Sequence, residues 1–380
     1  MAEALQLMPG SRLREELESS GAGKVSRCYQ CATCTSVCEL STPQNAFPRK
    51  QMLLAQWGLV DQLASDPAVW LCHQCADCSE RCPRDAKPGD VLKGMRAEVI
   101  RTLSFPKFAG SLVANARVTW PLMILLPWLF WVILLFAMGY YPVNAEQLLN
   151  PGEHGGYAAI VPHWLLYAIY FPIAGWVTLA AGISGAKLWK MMGRGVNRRG
   201  SFISGLMAVM MDVATHKSFG ECTAKPSRRT PHLLLFWGFA GAAITSGLLI
   251  VAIYIQHLPM PLPLWHPYKL LGNISAVLLV IGGIQLLVNR YGSGRALVSS
   301  NAFDNFFLGL VAAVIFTGVV TEAVRLASMP ATAFVVYTLH LGVVMALFLT
   351  FPYSKFAHML YRVLAQVHHR LMAEPEREQA

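Results

Sequence analysis

Hydrophobic positions run along this chain in two rhythms. Up to about residue 103, apolar and charged positions interleave in short helical patterns, as in residues 48–63 and 90–101. Beyond that point the apolar runs lengthen, to residues 120–140, 164–186, 233–254, 270–288, 306–320 (reaching about 326) and 331–353. A bilayer core of about 30 Å takes about 20 helical residues to cross, so these six runs predict six spans. The fifth is the weakest, because Glu322 and Arg325 occupy its last turn. Between the two regimes, the mixed segment from Phe105 to Arg117 reads as an amphipathic stretch at the membrane surface. The pattern predicts a mostly α protein. Residues 1–105 form a soluble helical domain, 106–118 a linker, 119–356 a six-helix transmembrane bundle, and 357–380 a tail whose polar end, 374–380, is expected to be disordered.

Composition agrees, since 54% hydrophobic and only 14% charged residues exclude a single water-soluble domain. A net charge of +10 could suggest nucleic acid, but the basic residues fall between apolar runs and no nucleic-acid motif is present. Lys187, Lys190, Arg194, Arg198, Arg199, Lys217, Lys225, Arg228 and Arg229 follow the second run, and Arg290 and Arg295 follow the fourth. The loops around 146–162 and 257–267 carry almost none. By the positive-inside bias, both termini are expected in the cytoplasm, with Lys355, Arg362 and Arg370 agreeing. The first twenty residues lack a continuous apolar stretch and do not read as a signal peptide. In the reducing cytoplasm, clustered cysteines bind metal rather than form disulfides.

Cys28, Cys31, Cys34 and Cys38 have CxxCxxCxxxC spacing, and Cys72, Cys75, Cys78 and Cys82 repeat it before Pro83. Three close thiolates can wrap one four-iron cube while the fourth, leaving on a helix, reaches the other. One cluster is therefore assigned to Cys28, Cys31, Cys34 and Cys82, and the second to Cys72, Cys75, Cys78 and Cys38. Glu39 replaces the proline expected after the first motif, at little cost, because proline ligates nothing. Zinc favours separated CxxC knuckles, not four cysteines in eleven residues. Cys222 stands alone and reads as an inert thiol. The soluble domain is thus expected to be an α-helical, ferredoxin-like two-cluster module.

Histidines at membrane depth are costly and point to function. His340 and His358 are 18 residues apart, five helical turns, which on one continuous helix places both rings on one face about 27 Å apart. That spacing suits one axial ligand for each of two b-type haems, although a kink at Pro352 would blur the register. His232, opening the third span, lies level with His358. For His340 the candidates are His266 and His257. The helix from His232 to His257 is about 37 Å long, roughly 10 Å too high, so His266 is preferred. His154 and His163 read as outer-loop residues, and His368 and His369 as solvated tail residues.

The last span, HLGVVMALFLTFPYSKFAH, resembles the haem-b gamma subunit of respiratory nitrate reductase, in which such a helix ligates both haems. HPYKLLGN is similar to that family's quinone region, which implies a quinone contact for Lys269. Ala242 stands where that family has its second histidine, so one haem either takes another ligand or is absent. FPRKQMLLAQWGL and VWLCHQCADCSERCPRDAKPGDVL resemble the iron–sulfur subunit of heterodisulfide reductase. The order of the two parts is similar to the membrane subunit of the quinone-interacting oxidoreductase complex of sulfate reducers and sulfur oxidisers. That resemblance implies an inner-membrane subunit linking quinone, through haem b and two [4Fe–4S] clusters, to cytoplasmic flavin and iron–sulfur subunits and indirectly to adenylylsulfate reductase. The alternatives are a heterodisulfide-reductase-type membrane subunit, whose catalytic site lies on another chain, and an electron-transfer anchor without its own quinone site.

Overall fold

The computed structural model describes residues 11–19, 21–22, 24–142, 148, 152, 155–194, 200–215, 229–292 and 301–372. His154, Cys222, Arg295 and the polar end 374–380 lie outside them. Among the described residues the chain is helical, without strands beyond an isolated bridge between Gly152 and Met260.

The N-terminal part contains α1 (Ser11–Ser19), α2 (Thr33–Ser36), α3 (Arg49–Gln56), α4 (Val60–Ser65), α5 (Ala68–Leu71), α6 (Asp77–Glu80) and α7 (Pro88–Leu103). Pro88 starts α7, where its missing N–H costs nothing. Val91, Leu92, Met95 and Val99 then recur at helical spacing and are fully buried. The first three meet Leu13, Phe47, Met52, Leu63 and Val69 in a core of the domain's own. The two cysteine motifs repeat in backbone as well as in sequence. Gln30 and Ala32 in the first, and Gln74 and Ala76 in the second, all take positive φ. Left-handed conformations at non-glycine residues cost roughly 1–2 kcal/mol each and persist where the surroundings over-determine them.

A short helix, α8 (Lys107–Ala114), leads into the first span, α9 (Ala116–Ala137). The others are α10 (His163–Met192), α12 (Arg229–Tyr254), α13 (Pro267–Leu287, continuing to Gly292), α14 (Ala302–Leu326) and α15 (Pro330–Thr350), six in all among the described residues. All six predicted runs form helices long and apolar enough to cross a bilayer. The charged end of α14 is tolerated because Arg325 pairs with Glu322 one turn earlier at 2.8 Å. Half of α15's apolar window is buried in protein, against 11% for α10, which makes α15 the inner helix of the bundle and leaves α10 facing lipid. Gly342 on α15 allows α9 to approach, since a Cβ there would sit 2.6 Å from the Trp128 Cα.

Two helices were not foreseen. The basic loop after α10 contains α11 (Phe202–Thr215), which buries Val209 and exposes Phe202, Ile203, Met207 and Met211. That one-sided pattern fits a helix lying along the interface. Part of the segment read as a tail forms α16 (Ala357–Met372), amphipathic and packed through Tyr361, Ala365, Val367 and His368. His368 is therefore not solvated. It is 3% exposed, its Nε2 donates to the Met192 carbonyl at 2.9 Å, and its ring meets Trp189 edge-on. His340 and His358 likewise do not share a helix, because α15 stops at Thr350 and α16 begins at Ala357. Pro352, lacking an N–H, stands in the intervening turn, so the five-turn register does not hold.

The N-terminal and membrane parts share a core in which Ala64, Trp70, Val99, Ile100 and Leu103 pack with Leu188, Phe306, Val343, Leu347 and Tyr361. The Trp70 ring meets Tyr361 edge to face with centroids 4.9 Å apart.

Candidate functional site

Cys28, Cys31, Cys34 and Cys82 line one open cavity of about 340 Å³, together with Pro83, Arg49 and Arg84. Cys82 thus joins the first motif's three cysteines across the duplicated fold. In the second group Cys78 lies within electrostatic reach of Cys72, Cys75 and Cys38, and of Cys34 of the first group. Burial pushes the Cys78 thiol far up and Cys38 up to about 11, with neighbouring thiolates adding to both. Protons therefore hold these sulfurs until a metal displaces them. Cys31 shifts the other way, lowered by its contact with the Thr33 hydroxyl and exposed at the surface. Among the described residues no three Cys, His, Asp or Glu side chains converge at the spacing of a single metal ion. Thiolates around a four-iron cube stand farther apart, with the irons between them.

The two cysteine groups differ in setting. Around the first, Tyr29 is 68% exposed with the Arg84 guanidinium 4.2 Å over its ring. The second lies against the membrane part. Arg96 of α7 donates to the Cys72 carbonyl at 2.6 Å and to Val69 at 2.7 Å. Arg362 of α16 donates to the same Cys72 carbonyl at 3.3 Å and to His73 Nδ1 at 3.2 Å. Burial first, then these guanidinium charges, push His73 down to about 4. Beside this contact lies a buried ionic hub. Asp304, at the start of α14, meets Lys93 of α7 at 2.7 Å, Lys355 at 2.9 Å and Arg290 at 3.5 Å.

His358 opens α16 next to the hub, and its Nδ1 bonds the Lys355 carbonyl. A carbonyl only accepts, so Nδ1 carries the proton and Nε2 keeps its lone pair. Burial above all pushes His358 down to about 3, with the charges of Lys355, Arg96 and His232 acting the same way, so His232 of α12 is a near neighbour. His340 is arranged likewise. The Thr317 hydroxyl donates to Ala313 at 2.6 Å, so its oxygen accepts from His340 Nδ1–H at 2.9 Å and again leaves Nε2 bare. Gly318 makes room for that ring, since a Cβ there would sit 3.1 Å from the imidazole Cε1. A neutral imidazole with Nδ1–H anchored and Nε2 bare fits an axial haem ligand.

His266 caps α13, its Nδ1 accepting from the Tyr268 N–H at 3.3 Å, and no contact brings it to His340 among the described residues. His257 is exposed, with φ 52°. His163 opens α10. Lys269 pairs with Glu322 at 2.9 Å, so three charges, Lys269, Glu322 and Arg325, meet where α13 and α14 adjoin. Tyr157 donates to the Thr321 carbonyl beside them and stacks on Tyr337 with centroids 4.1 Å apart. Sequence reasoning missed Arg96, Arg362, the Asp304 hub and the partner of Lys269. The signal available was charge inside apolar runs, at Asp304 and Glu322.

Comparison with known proteins follows this division. Residues 24–86 match a 4Fe-4S dicluster domain. A subunit of the H(2):CoB-CoM heterodisulfide,ferredoxin reductase of Methanothermobacter thermautotrophicus is 38% identical over 23% of this chain and 47% of its own length. The iron-sulfur subunit of CoB–CoM heterodisulfide reductase of Methanopyrus kandleri is 40% identical over 19% of this chain and 38% of its own. The chain thus spans half or less of the length of these relatives. Citrate utilization protein B of Escherichia coli is 27% identical over 95% of this chain and 94% of its own length. No solved structure matches. The chain joins an N-terminal 4Fe-4S dicluster domain, related to the iron–sulfur subunit of heterodisulfide reductase, to six helices long and apolar enough to cross a membrane. Its membrane half and C-terminal helix, residues 117–380, match the citrate utilization protein B family over well more than half of the sequence, and the chain belongs to that family.

Proposed function

We propose that this subunit carries electrons between membrane quinone and a soluble redox partner in the cytoplasm. The observation that carries the reading is the contact of the second cysteine group with α16 through Arg362, Tyr361 and Trp70, in a core shared with Leu188 and Phe306 of the spans. The two [4Fe–4S] clusters, and haem b on His232, His340, His358 and His266, supply one-electron chemistry when bound. The protein's part is to hold these groups in line and keep water away. Cys28, Cys31, Cys34 and Cys82 take the outer cluster, where exposed Tyr29 and Arg84 offer the partner a docking face. Cys72, Cys75, Cys78 and Cys38 take the inner one. At the other end of the bundle, Lys269 is placed to donate to a quinone oxygen, with Glu322 orienting its ammonium group.

Two partner classes fit. The resemblance to the quinone-interacting complex points to flavin and iron–sulfur subunits of sulfur metabolism. The relative that matches over nearly the full chain is named for citrate utilization, which favours a soluble oxidoreductase of organic-acid metabolism. Reduction of the purified chain's iron–sulfur signals by a quinol tests the central claim. A chain with its clusters and haem intact that stays oxidised with every quinol tried would reduce it to an anchor.

Two further outcomes are expected. Iron analysis should give about eight atoms per chain, and Cys82→Ser should abolish the signal of the cluster on the first motif while sparing the other. Loss confined to the second-motif cluster would refute the crossed ligation. A reporter fused after Ala380 should be cytoplasmic and one inserted at Gly155 exported, as the loop charges require. The reverse pattern would put the iron–sulfur domain, and its partner, on the other side.

A further inference from the structure

Arg96 and Arg362 come from opposite halves of the chain yet converge on one carbonyl oxygen, that of Cys72, at 2.6 and 3.3 Å. Arg96 also holds Val69 of α5, and Arg362 holds His73, so each guanidinium is fixed by two bonds on the end of α5 and the cysteine that follows it. Each guanidinium thus stands on the peptide of a cluster ligand. Among the described residues no guanidinium bonds the corresponding Cys28 carbonyl, which accepts instead from the neutral Gln56 amide at 2.8 Å. The first group's arginines stand at the surface, Arg84 over Tyr29 and Arg49 on the Gln30 amide oxygen at 3.4 Å, where solvent screens them.

Reduction adds one electron to a cluster that its thiolates already make anionic, and no bond to the protein forms or breaks. Burial opposes this step, because the reduced form carries more charge. A buried guanidinium with a hydrogen bond to the ligand's peptide favours it, and in a low-dielectric setting the attraction is strong. We propose that Arg96 and Arg362 raise the reduction potential of the second-motif cluster and make it reducible in its buried position. Arg362 belongs to α16, so docking of the C-terminal helix sets the potential of a cluster some 290 residues earlier in sequence. A chain with α16 undocked holds that cluster harder to reduce, and electrons pass between it and the membrane half when the two halves are seated. Both arginines act on the cluster through Cys72 and are positioning residues.

This inference rests on the assignment of Cys72, Cys75, Cys78 and Cys38 to one cluster. The test is an EPR-monitored redox titration of the full purified chain in wild type, Arg362→Gln, Arg362→Lys and Arg96→Gln, with iron content measured on each. A Cys75→Ser variant identifies the signal that belongs to the second motif. Arg362→Gln should make that cluster about tenfold harder to reduce, a shift of about 59 mV for one electron, with the other midpoint unmoved. Arg362→Lys should restore part of the shift. Should Arg96→Gln lose iron, the Arg362 pair carries the test alone. Full iron with both midpoints unchanged would overturn the inference and leave the ligand assignment standing. Equal shifts of both midpoints would also overturn it. Iron well below eight per chain in wild type would instead sink the assignment beneath it.

Discussion

Asp304→Asn is expected to destabilise the protein by about 3–5 kcal/mol, the range for breaking a buried ion pair by removing one partner. Asp304 is 3% exposed and holds Lys93 at 2.7 Å, Lys355 at 2.9 Å and Arg290 at 3.5 Å, so its loss leaves three cations around a neutral amide. Lys93 is itself nearly buried and belongs to the iron–sulfur domain, whereas Asp304 begins a membrane span. The damage should therefore fall where the halves meet, with detergent-solubilised protein melting earlier and protease reaching α7 more easily. Methionine at Lys93 should cost less in the Asp304→Asn background than in wild type, because the pair acts as a unit. An unchanged melting midpoint for Asp304→Asn would mean that the hub is held by other groups and that Asp304 does not organise it.

Much of the architecture was legible in the sequence because its determinants are local. Lipid imposes a length on each span, and the six apolar runs met it, including the run whose terminal Glu322 and Arg325 satisfy each other. The cysteine spacing was equally direct as the sign of a 4Fe-4S dicluster domain, and Cys82 lines one cavity with Cys28, Cys31 and Cys34. What failed was register across Pro352. Counting five turns from His340 to His358 assumes unbroken hydrogen bonding, and the chain leaves the helix from residue 351 to 356. His368 was misread for a related reason. Its neighbours look polar in a row, but at helical spacing Tyr361, Ala365 and His368 share a buried face. Arg96, Arg362 and Lys93 were invisible because their meaning depends on partners far away in sequence, as with Arg362 on Cys72. Charge alone does not say whether an arginine on a helix faces water or a cluster.

Substitution of His232 or His358 by alanine should remove one and the same haem, taking haem content from about two per chain to about one, and leave both iron–sulfur signals in place. Broken register does not weaken this expectation, since it rests on proximity and tautomer. His232 lies within electrostatic reach of His358, and the Lys355 carbonyl holds the His358 Nδ1–H, so Nε2 is free to bind iron. His340 sits in a different helix with its own anchor, the Thr317 hydroxyl, and its loss should remove the other haem alone. Thr317→Val should then weaken the His340 haem by roughly 10- to 100-fold in affinity, the usual cost of losing a hydrogen bond that orients a metal ligand, while leaving the His358 haem untouched. His266→Ala separates the remaining possibilities. Loss of the His340 haem makes His266 its second ligand, and retention, with loss in His257→Ala, moves that role to His257. Pyridine haemochrome content measured beside the EPR signal decides each case. If His232, His340 and His358 variants all keep wild-type haem with intact clusters, these histidines hold no haem and the quinone end must reach the second-motif cluster by another path.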